Sequence, residues 1–399
     1  MKKITVSLSG SKSITNRLLV LDALFDNAIQ LKNLSQSQDT SVLFKALSSQ
    51  EEIIDIHHAG TAMRFLTAYF SIQNGRKTVI TGSSRMKERP IQILVDALRS
   101  LGSDIQYLEQ DGFPPLEING KKLERNKVML LSSVSSQYIT ALCLIGAKLP
   151  QGLEIVLEGK LTSFPYINMT IQILKKIGIE VEFENNTITI YHRQNIAKQD
   201  FTIESDWSSA SYHYSVCALG DYEIEIQYLF EDSLQGDKRI SAIYEEYFGI
   251  KTIFDGGKIT LKKIQDFSYP KYIELEMNDC PDIAQTVAAT ALGLQIPIKI
   301  TGLETLKIKE TDRLQALKNE LEKLGGIVEI TDSTIELKSF GKRKGDVVIQ
   351  TYNDHRMAMS FAPLKLLFPF EIENPEVVEK SYTEFWEDMK KYEIRAKRQ

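Results

Sequence analysis

Small polar and cationic residues gather in a few short segments, each set ahead of an apolar stretch. In Leu8-Ser9-Gly10-Ser11-Lys12-Ser13-Ile14-Thr15-Asn16-Arg17, a helix start carries Lys12, Ser13 and Arg17. Open backbone N–H groups, the helix dipole and two cations suit an anion, although the glycine spacing of a Walker loop is missing and a plain N-cap would look alike. In Ala59-Gly60-Thr61-Ala62-Met63-Arg64, Gly60 opens a helix with no side chain to obstruct a ligand, or simply makes a tight strand-to-helix turn. Arg85-Met86-Lys87-Glu88-Arg89-Pro90 brings three cations into six residues, as a solvated charged loop also would. Ser135-Ser136-Gln137 offers donors to phosphate oxygens, or caps a helix.

The later half adds carboxylates. Asp282 follows Pro281 at the mouth of the apolar stretch Ala284 to Leu294, where an N-cap is the competing role. Lys309 and Arg313 share a helix face at i, i+4 spacing with Glu310 beside them, a pattern a surface ion-pair helix also shows. Asn353-Asp354-His355-Arg356 starts another apolar helix, and Lys380 precedes Ser381-Tyr382. The chemistry on offer is binding of anionic substrates, with carboxylates available for proton transfer.

The elements that must position these residues recur. Amphipathic helices end at Leu101-Gly102, Ile177-Gly178, Phe248-Gly249 and Leu324-Gly325, so the glycines are 76, 71 and 76 residues apart. Strands follow, among them Ile179-Glu180-Val181 and Ile327 to Ile330. A second series of more apolar helices starts near Thr61, Gln137, Ser208, Asp282 and His355, at separations of 76, 71, 74 and 73. Earlier helices near Ser13 to Phe25 and Thr40 to Leu47 and a last one from Tyr382 to Tyr392 bring the expected number to about twelve, two for each of six repeats. Solenoid units are usually roughly 20 to 50 residues long, so two α/β domains of three repeats each fit better.

Composition agrees with a chain folded throughout: 399 residues, 43% hydrophobic and 25% charged. With 48 Lys and Arg against 53 Asp and Glu, the net charge of −5 gives no support to a nucleic-acid binder, and no run reaches membrane-spanning length. The first ten residues lack the apolar stretch of a signal peptide, so the expected location is the cytoplasm. Cys143, Cys217 and Cys280 are far apart in apolar contexts, which implies neither disulfides nor a zinc site.

In this order and over nearly the whole chain, the stretches GSKSITNR, AGTAMR, RMKERP, SSQ, SFPY, DWSSASY, CPD, KETDR and NDHRMAMSF resemble the EPSP synthase family of enolpyruvyl transferases. The resemblance implies a two-domain α/β fold of six βαβαββ repeats, three per domain, with the active site in the interdomain cleft. Placed on these motifs, one domain spans 12–204 and carries most shikimate 3-phosphate contacts, and the other comprises 1–11 plus 205–399 and carries Asp282, Glu310 and several phosphoenolpyruvate contacts. The substrates implied are these two small molecules, handled by a monomer with no nucleic-acid or membrane partner, no metal and no cofactor.

Carried over position by position, Lys12, Ser13, Arg17, Ser135, Ser136, Gln137, Ser163, Tyr166, Asp282 and Lys309 would hold shikimate 3-phosphate. Lys12, Gly60, Arg89, Gln137, Arg313, Arg356 and Lys380 would meet phosphoenolpyruvate. The resemblance implies addition followed by elimination, with Asp282 taking the hydroxyl proton, Glu310 moving the C3 proton both ways and Lys12 helping phosphate depart. His58, Trp207 and Thr305 depart from the family pattern, which has Asn, a small residue and Asn there. The sister transferase acting on UDP-N-acetylglucosamine uses a loop cysteine that Gly82 to Pro90 lacks. A noncatalytic anion-binding protein of this fold would not need Asp282, Glu310 and Lys12 together, and an RNA-end-modifying enzyme fits poorly with the acidic balance.

Overall fold

The computed structural model describes residues 2–131, 135–159, 164–343 and 345–396. The chain forms two compact units, one of Met1–Ser9 with Glu204–Gln399 and one of Gly10–Ile203.

One repeat shows how sequence becomes structure. Strand Ile53–Asp55 leads into helix Gly60–Ser71, then strand Lys77–Thr81, helix Gln92–Leu101 and the hairpin strands Asp104–Tyr107 and Leu116–Asn119. The sheet order is first, second, fourth, third, with the first two strands parallel and the other pairings antiparallel. Helix Gln92–Leu101 buries Leu94, Val95, Leu98 and Leu101 along one stripe, so it lies on the core by one face. It stops at Gly102, whose φ of 107° is a left-handed conformation that glycine adopts without steric cost. Helix Gly60–Ser71, by contrast, is buried on nearly all sides, as its apolar and small residues require.

The same strand order recurs in Lys127–Leu131 through Ile190, in Ile273–Glu276 through Phe340, and in a sheet built from Lys2–Val6, Tyr222–Gln227, Ile250–Asp255 and Lys258–Lys263. Two further repeats keep the parallel strand pair and both helices but carry no hairpin in their sheets among the described residues. They pair Gln199–Thr202 with Ile29–Lys32 and Val348–Ile349 with Glu371–Ile372.

Each unit therefore takes one strand from a distant part of the chain. Lys2–Val6 pairs in parallel with Tyr222–Gln227, and Gln199–Thr202 pairs with Ile29–Lys32. The units divide after Ser9 and after Ile203. Gly10 is held in its unit because a Cβ there would meet the Asn33 carbonyl oxygen at 1.8 Å and Ile203 at 2.9 Å. Glu204 goes with the other unit, where its buried carboxylate accepts bonds from Trp207, Phe230, Ser233 and Gln235.

The first helix of each repeat packs against its counterparts within the unit. In the larger one, Ser211 and Ser360 each approach Thr286 to 3.2 Å, so small hydroxyl residues line the seam between helices Trp207–Leu219, Ala284–Leu294 and His355–Phe361. The described residues include thirteen α-helices, and the one beyond the expected twelve is the single turn Ser84–Lys87 inside the Arg85–Pro90 stretch, capped by Ser83. The third strand of the repeat from Lys127 to Ile190 starts at Val181 rather than Ile179, because Ile179 N still bonds back to the Leu174 carbonyl at the end of the preceding helix.

Candidate active site

The seam places three helix starts side by side in the unit Glu204–Gln399, and the predicted residues of that half meet there. Arg313 opens helix Arg313–Lys323 with its side chain only 2% exposed. Its Nε donates to Asp354 Oδ2 at 2.6 Å, Nη1 to Asp282 Oδ1 at 3.0 Å and Nη2 to Glu310 Oε2 at 2.7 Å. Burial alone would pull this guanidinium down. Asp354, Glu310 and Asp282 outweigh it and push the group up, so it stays charged.

Asp282 is the hub of the cations. Its Oδ1 also lies 3.4 Å from Lys309 Nζ, and its Oδ2 lies 3.3 Å from Arg356 Nη2. Arg356 in turn donates through Nη1 to the Asp282 carbonyl at 2.9 Å and through Nη2 to Ser208 Oγ at 3.3 Å. Ser208 Oγ donates to the buried Asp237, whose carboxyl is pushed up to about 7 by burial and by the nearby charge of Asp282. Lys380 Nζ donates to the Asn353 carbonyl at 2.7 Å, next to Asp354. Thus Asp282, Lys309, Glu310, Arg313 and Arg356 form one ionic cluster, and Lys380 joins it through the backbone.

Within Gly10–Ile203 the other predicted residues sit at four helix starts, those at Lys12, Gly60, Ser136 and Phe164, the last carrying Tyr166, and in the stretch with Arg89 ahead of helix Gln92–Leu101. Lys12 Nζ lies 3.4 Å from Asp39 Oδ2, at the start of helix Lys12–Leu24 with Ser13. Arg17 is buried and bound by Thr170 Oγ1, Thr140 Oγ1 and the carbonyls of Ser13 and Tyr166. Burial brings it down to about 10, which leaves it a cation at neutral pH. Gln137 Nε2 reaches Thr61 Oγ1 at 3.4 Å, which ties the helix that Ser135 caps, with Ser136 as its first residue, to the helix that begins at Gly60. A Cβ on Gly60 would lie 2.4 Å from Arg89 Nη1, so the glycine is what admits that guanidinium. Ser163 lies outside the described residues.

Several supporting residues went unassigned by sequence reasoning. Asp354 is fully buried, forks onto Arg313 and caps Arg356 N at 2.9 Å. In sequence it stands only as one residue of the segment that starts an apolar helix. Arg64 donates to the carbonyls of Gly60 and Pro90, and Tyr138 donates to Pro90 as well, which fixes the Arg89 segment over Gly60. A buried arginine inside an apolar helix was the available signal. Of the departures, His58 Nδ1 pairs with Ser83 Oγ at 2.8 Å, Trp207 donates to Glu204 at 2.7 Å, and Thr305 Oγ1 is buried without a hydrogen-bond partner among the described residues.

Two solved structures share this architecture. An EPSP synthase from Acinetobacter baumannii superposes with a TM-score of 0.75 at 20% identity, over 98% of this chain and 95% of that one. The enolpyruvyl transferase NikO from Streptomyces tendae gives 0.73 at 16%, with the same two coverages. The fold is therefore that of the two-domain enolpyruvyl transferases. A family model for EPSP synthase (3-phosphoshikimate 1-carboxyvinyltransferase) matches residues 43–389. The 3-phosphoshikimate 1-carboxyvinyltransferase of Bacteroides fragilis strain YCH46 is 45% identical over 394 residues, 98% of this chain and 95% of the relative. That of Histophilus somni strain 2336 is 37% identical over 393 residues, 90% and 89% of the two chains. The chain belongs to the EPSP synthase family.

Proposed function

We propose that the protein transfers the enolpyruvyl group of phosphoenolpyruvate to the 5-hydroxyl of shikimate 3-phosphate, releasing inorganic phosphate, a step of aromatic amino acid biosynthesis in the cytoplasm. The observation that carries the reading is the cluster of Asp282 and Glu310 with Lys309, Arg313 and Arg356, in a chain of this family. It combines two carboxylates for proton transfer with planar cations suited to carboxylate oxygens. Lys12, Ser13, Arg17, Ser135, Ser136, Gln137, Ser163 and Tyr166, with Asp282 and Lys309, bind shikimate 3-phosphate. Lys12, Gly60, Arg89, Gln137, Arg313, Arg356 and Lys380 bind phosphoenolpyruvate.

In the first step the 5-hydroxyl oxygen bonds to C2 of phosphoenolpyruvate. Asp282 takes the hydroxyl proton while Glu310 delivers one to C3, which gives a tetrahedral adduct. In the second step the C2–O bond to phosphate breaks beside Lys12, the phosphate leaves with the proton that Asp282 took from the hydroxyl, and Glu310 recovers a proton from C3 to restore the double bond. Arg313 already holds three carboxylates through four of its five N–H groups, so a two-bond grip on the carboxylate of phosphoenolpyruvate requires one of them to give way. Asp354 is buried and forked. Glu310 is the most exposed of the three partners and the one that gives way. Its release lets it carry the C3 proton.

Cys143, Cys217 and Cys280 are buried thiols, as suits a reducing compartment. No helix among the described residues is long and apolar enough to cross a membrane. Incubation with both substrates should yield one phosphate per enolpyruvyl product detected by mass. Absence of product, or turnover with UDP-N-acetylglucosamine as acceptor instead, would overturn the reading.

A further inference from the structure

His213 lies wholly buried in helix Trp207–Leu219, and the reaction described above does not use it. Its Nδ1 is 2.9 Å from the hydroxyl of Tyr392, and its Nε2 is 3.0 Å from the hydroxyl of Tyr382. Tyr382 donates its one proton to Asp388 Oδ2 at 2.5 Å. The Tyr382 oxygen must then accept from Nε2–H, which leaves a lone pair on Nδ1 to accept from the Tyr392 hydroxyl. The four groups form one directional relay, Tyr392 to His213 to Tyr382 to Asp388, and every donor in it has one acceptor. Burial brings the imidazole down to about 4, so the ring is neutral, as the relay demands. Asp388 and Lys391 are the charged groups that act on it.

A buried histidine where an aromatic ring could pack costs desolvation, so two aligned partners must offset it. In return, directional bonds fix rotations that the surrounding rings, Tyr212, Phe385 and Trp386, would leave to packing alone. What they fix is the chain just after Lys380. Tyr382 N bonds to the Val378 carbonyl, closing the turn Pro375–Lys380, and that turn packs on helix His355–Phe361.

We infer that His213 is a positioning residue for enolpyruvyl transfer: through Tyr382 it sets the turn that carries the ammonium of Lys380 to the phosphate of phosphoenolpyruvate. The inference rests on the proposed role of Lys380. His213→Phe keeps a ring and removes both hydrogen bonds. It should raise KM for phosphoenolpyruvate roughly tenfold and leave KM for shikimate 3-phosphate within about twofold. In a Lys380→Ala background the same change should add less than about twofold, because residues that act through one another are not additive. Equal changes in both KM values, or full additivity with Lys380→Ala, would overturn the inference. If His213→Phe does not fold, Tyr392→Phe, which removes only the donor to Nδ1, must show the same split. Nitrogen-15 NMR of the wild type should find the His213 proton on Nε2, and a proton on Nδ1 would refute the relay. Absence of turnover in the wild type would defeat the functional reading itself, whereas turnover with an unsplit variant defeats only this inference.

Discussion

Nη2 of Arg313 and Oε2 of Glu310 stand 2.7 Å apart, three residues from each other at the start of one helix, so the carboxylate proposed to move the C3 proton is held by the cation proposed to bind the donor. The pairing makes binding of phosphoenolpyruvate and release of Glu310 one exchange. Arg313 keeps carboxylate partners in either state, which keeps the exchange inexpensive for the buried cation.

Glu310→Gln keeps the shape but has no proton to exchange, so kcat should fall by roughly 10² or more. KM for phosphoenolpyruvate should not rise, because the amide competes less strongly for Arg313. Asp282→Asn should slow turnover similarly, and for another reason it should also lower Tm. It leaves Lys309, Arg313 and Arg356 facing one neutral group where a carboxylate had balanced them. Steady-state kinetics and a thermal melt check both variants. Wild-type turnover in either would remove that residue from the chemistry.

Gly60→Ala tests the approach of Arg89. The added methyl would come within 2.4 Å of Arg89 Nη1 and 3.0 Å of Arg64 Nη1, so the flexible arginine ends must shift. Arg89 is the expected phosphate ligand and Arg64 is the support beneath it. KM for phosphoenolpyruvate should therefore rise by roughly tenfold or more while Tm changes little, since a side chain rather than backbone gives way. An unchanged KM would show that Arg89 does not meet that substrate.

Much of this site was legible because it sits on a repeat. Asp282 and Arg356 are 74 residues apart, and each opens the first helix of its repeat, so the period that predicts the helices also predicts that these residues meet. Other parts left no local trace. Lys2–Val6 and Gln199–Thr202 are short and mostly polar on the surface, and their pairing across some two hundred residues has no periodic signature. The fork of Asp354 onto Arg313 spans 41 residues, so nothing beside Asp354 in the sequence announces it. The Ser84–Lys87 turn is too short for an apolar stripe to announce it.

Thr305 offers a test with two signs. Its buried hydroxyl has no hydrogen-bond partner among the described residues, and such a group costs about 1–3 kcal/mol when nothing satisfies it. Thr305→Val should therefore raise Tm. If the hydroxyl instead becomes a partner of shikimate 3-phosphate when that substrate binds, the same variant should raise KM for it severalfold. A variant with lower Tm and unchanged KM would contradict both parts.

Two buried groups make opposed contributions to the pH dependence of stability. His213 falls from 6.5 to about 4 on folding, so between those values the unfolded chain binds a proton that the native one refuses, and stability drops as pH falls. Asp237 rises from 3.8 to about 7, so from pH 7 downward the native state holds a proton that the unfolded one lacks, and stability grows as pH falls. Between about pH 4 and 6.5 the two slopes oppose each other at ~1.4 kcal/mol per pH unit each. In the wild type they nearly cancel. His213→Phe removes the first slope, so relative to wild type its stability should climb by roughly 3 kcal/mol on acidification from pH 6.5 to 4. Asp237→Asn should show the reverse, losing a similar amount over the same range. Urea melts at half-unit pH intervals supply both curves, and subtracting the wild-type curve removes the common contribution of the other carboxylates. Parallel curves for all three proteins would mean that neither group changes its proton affinity on folding.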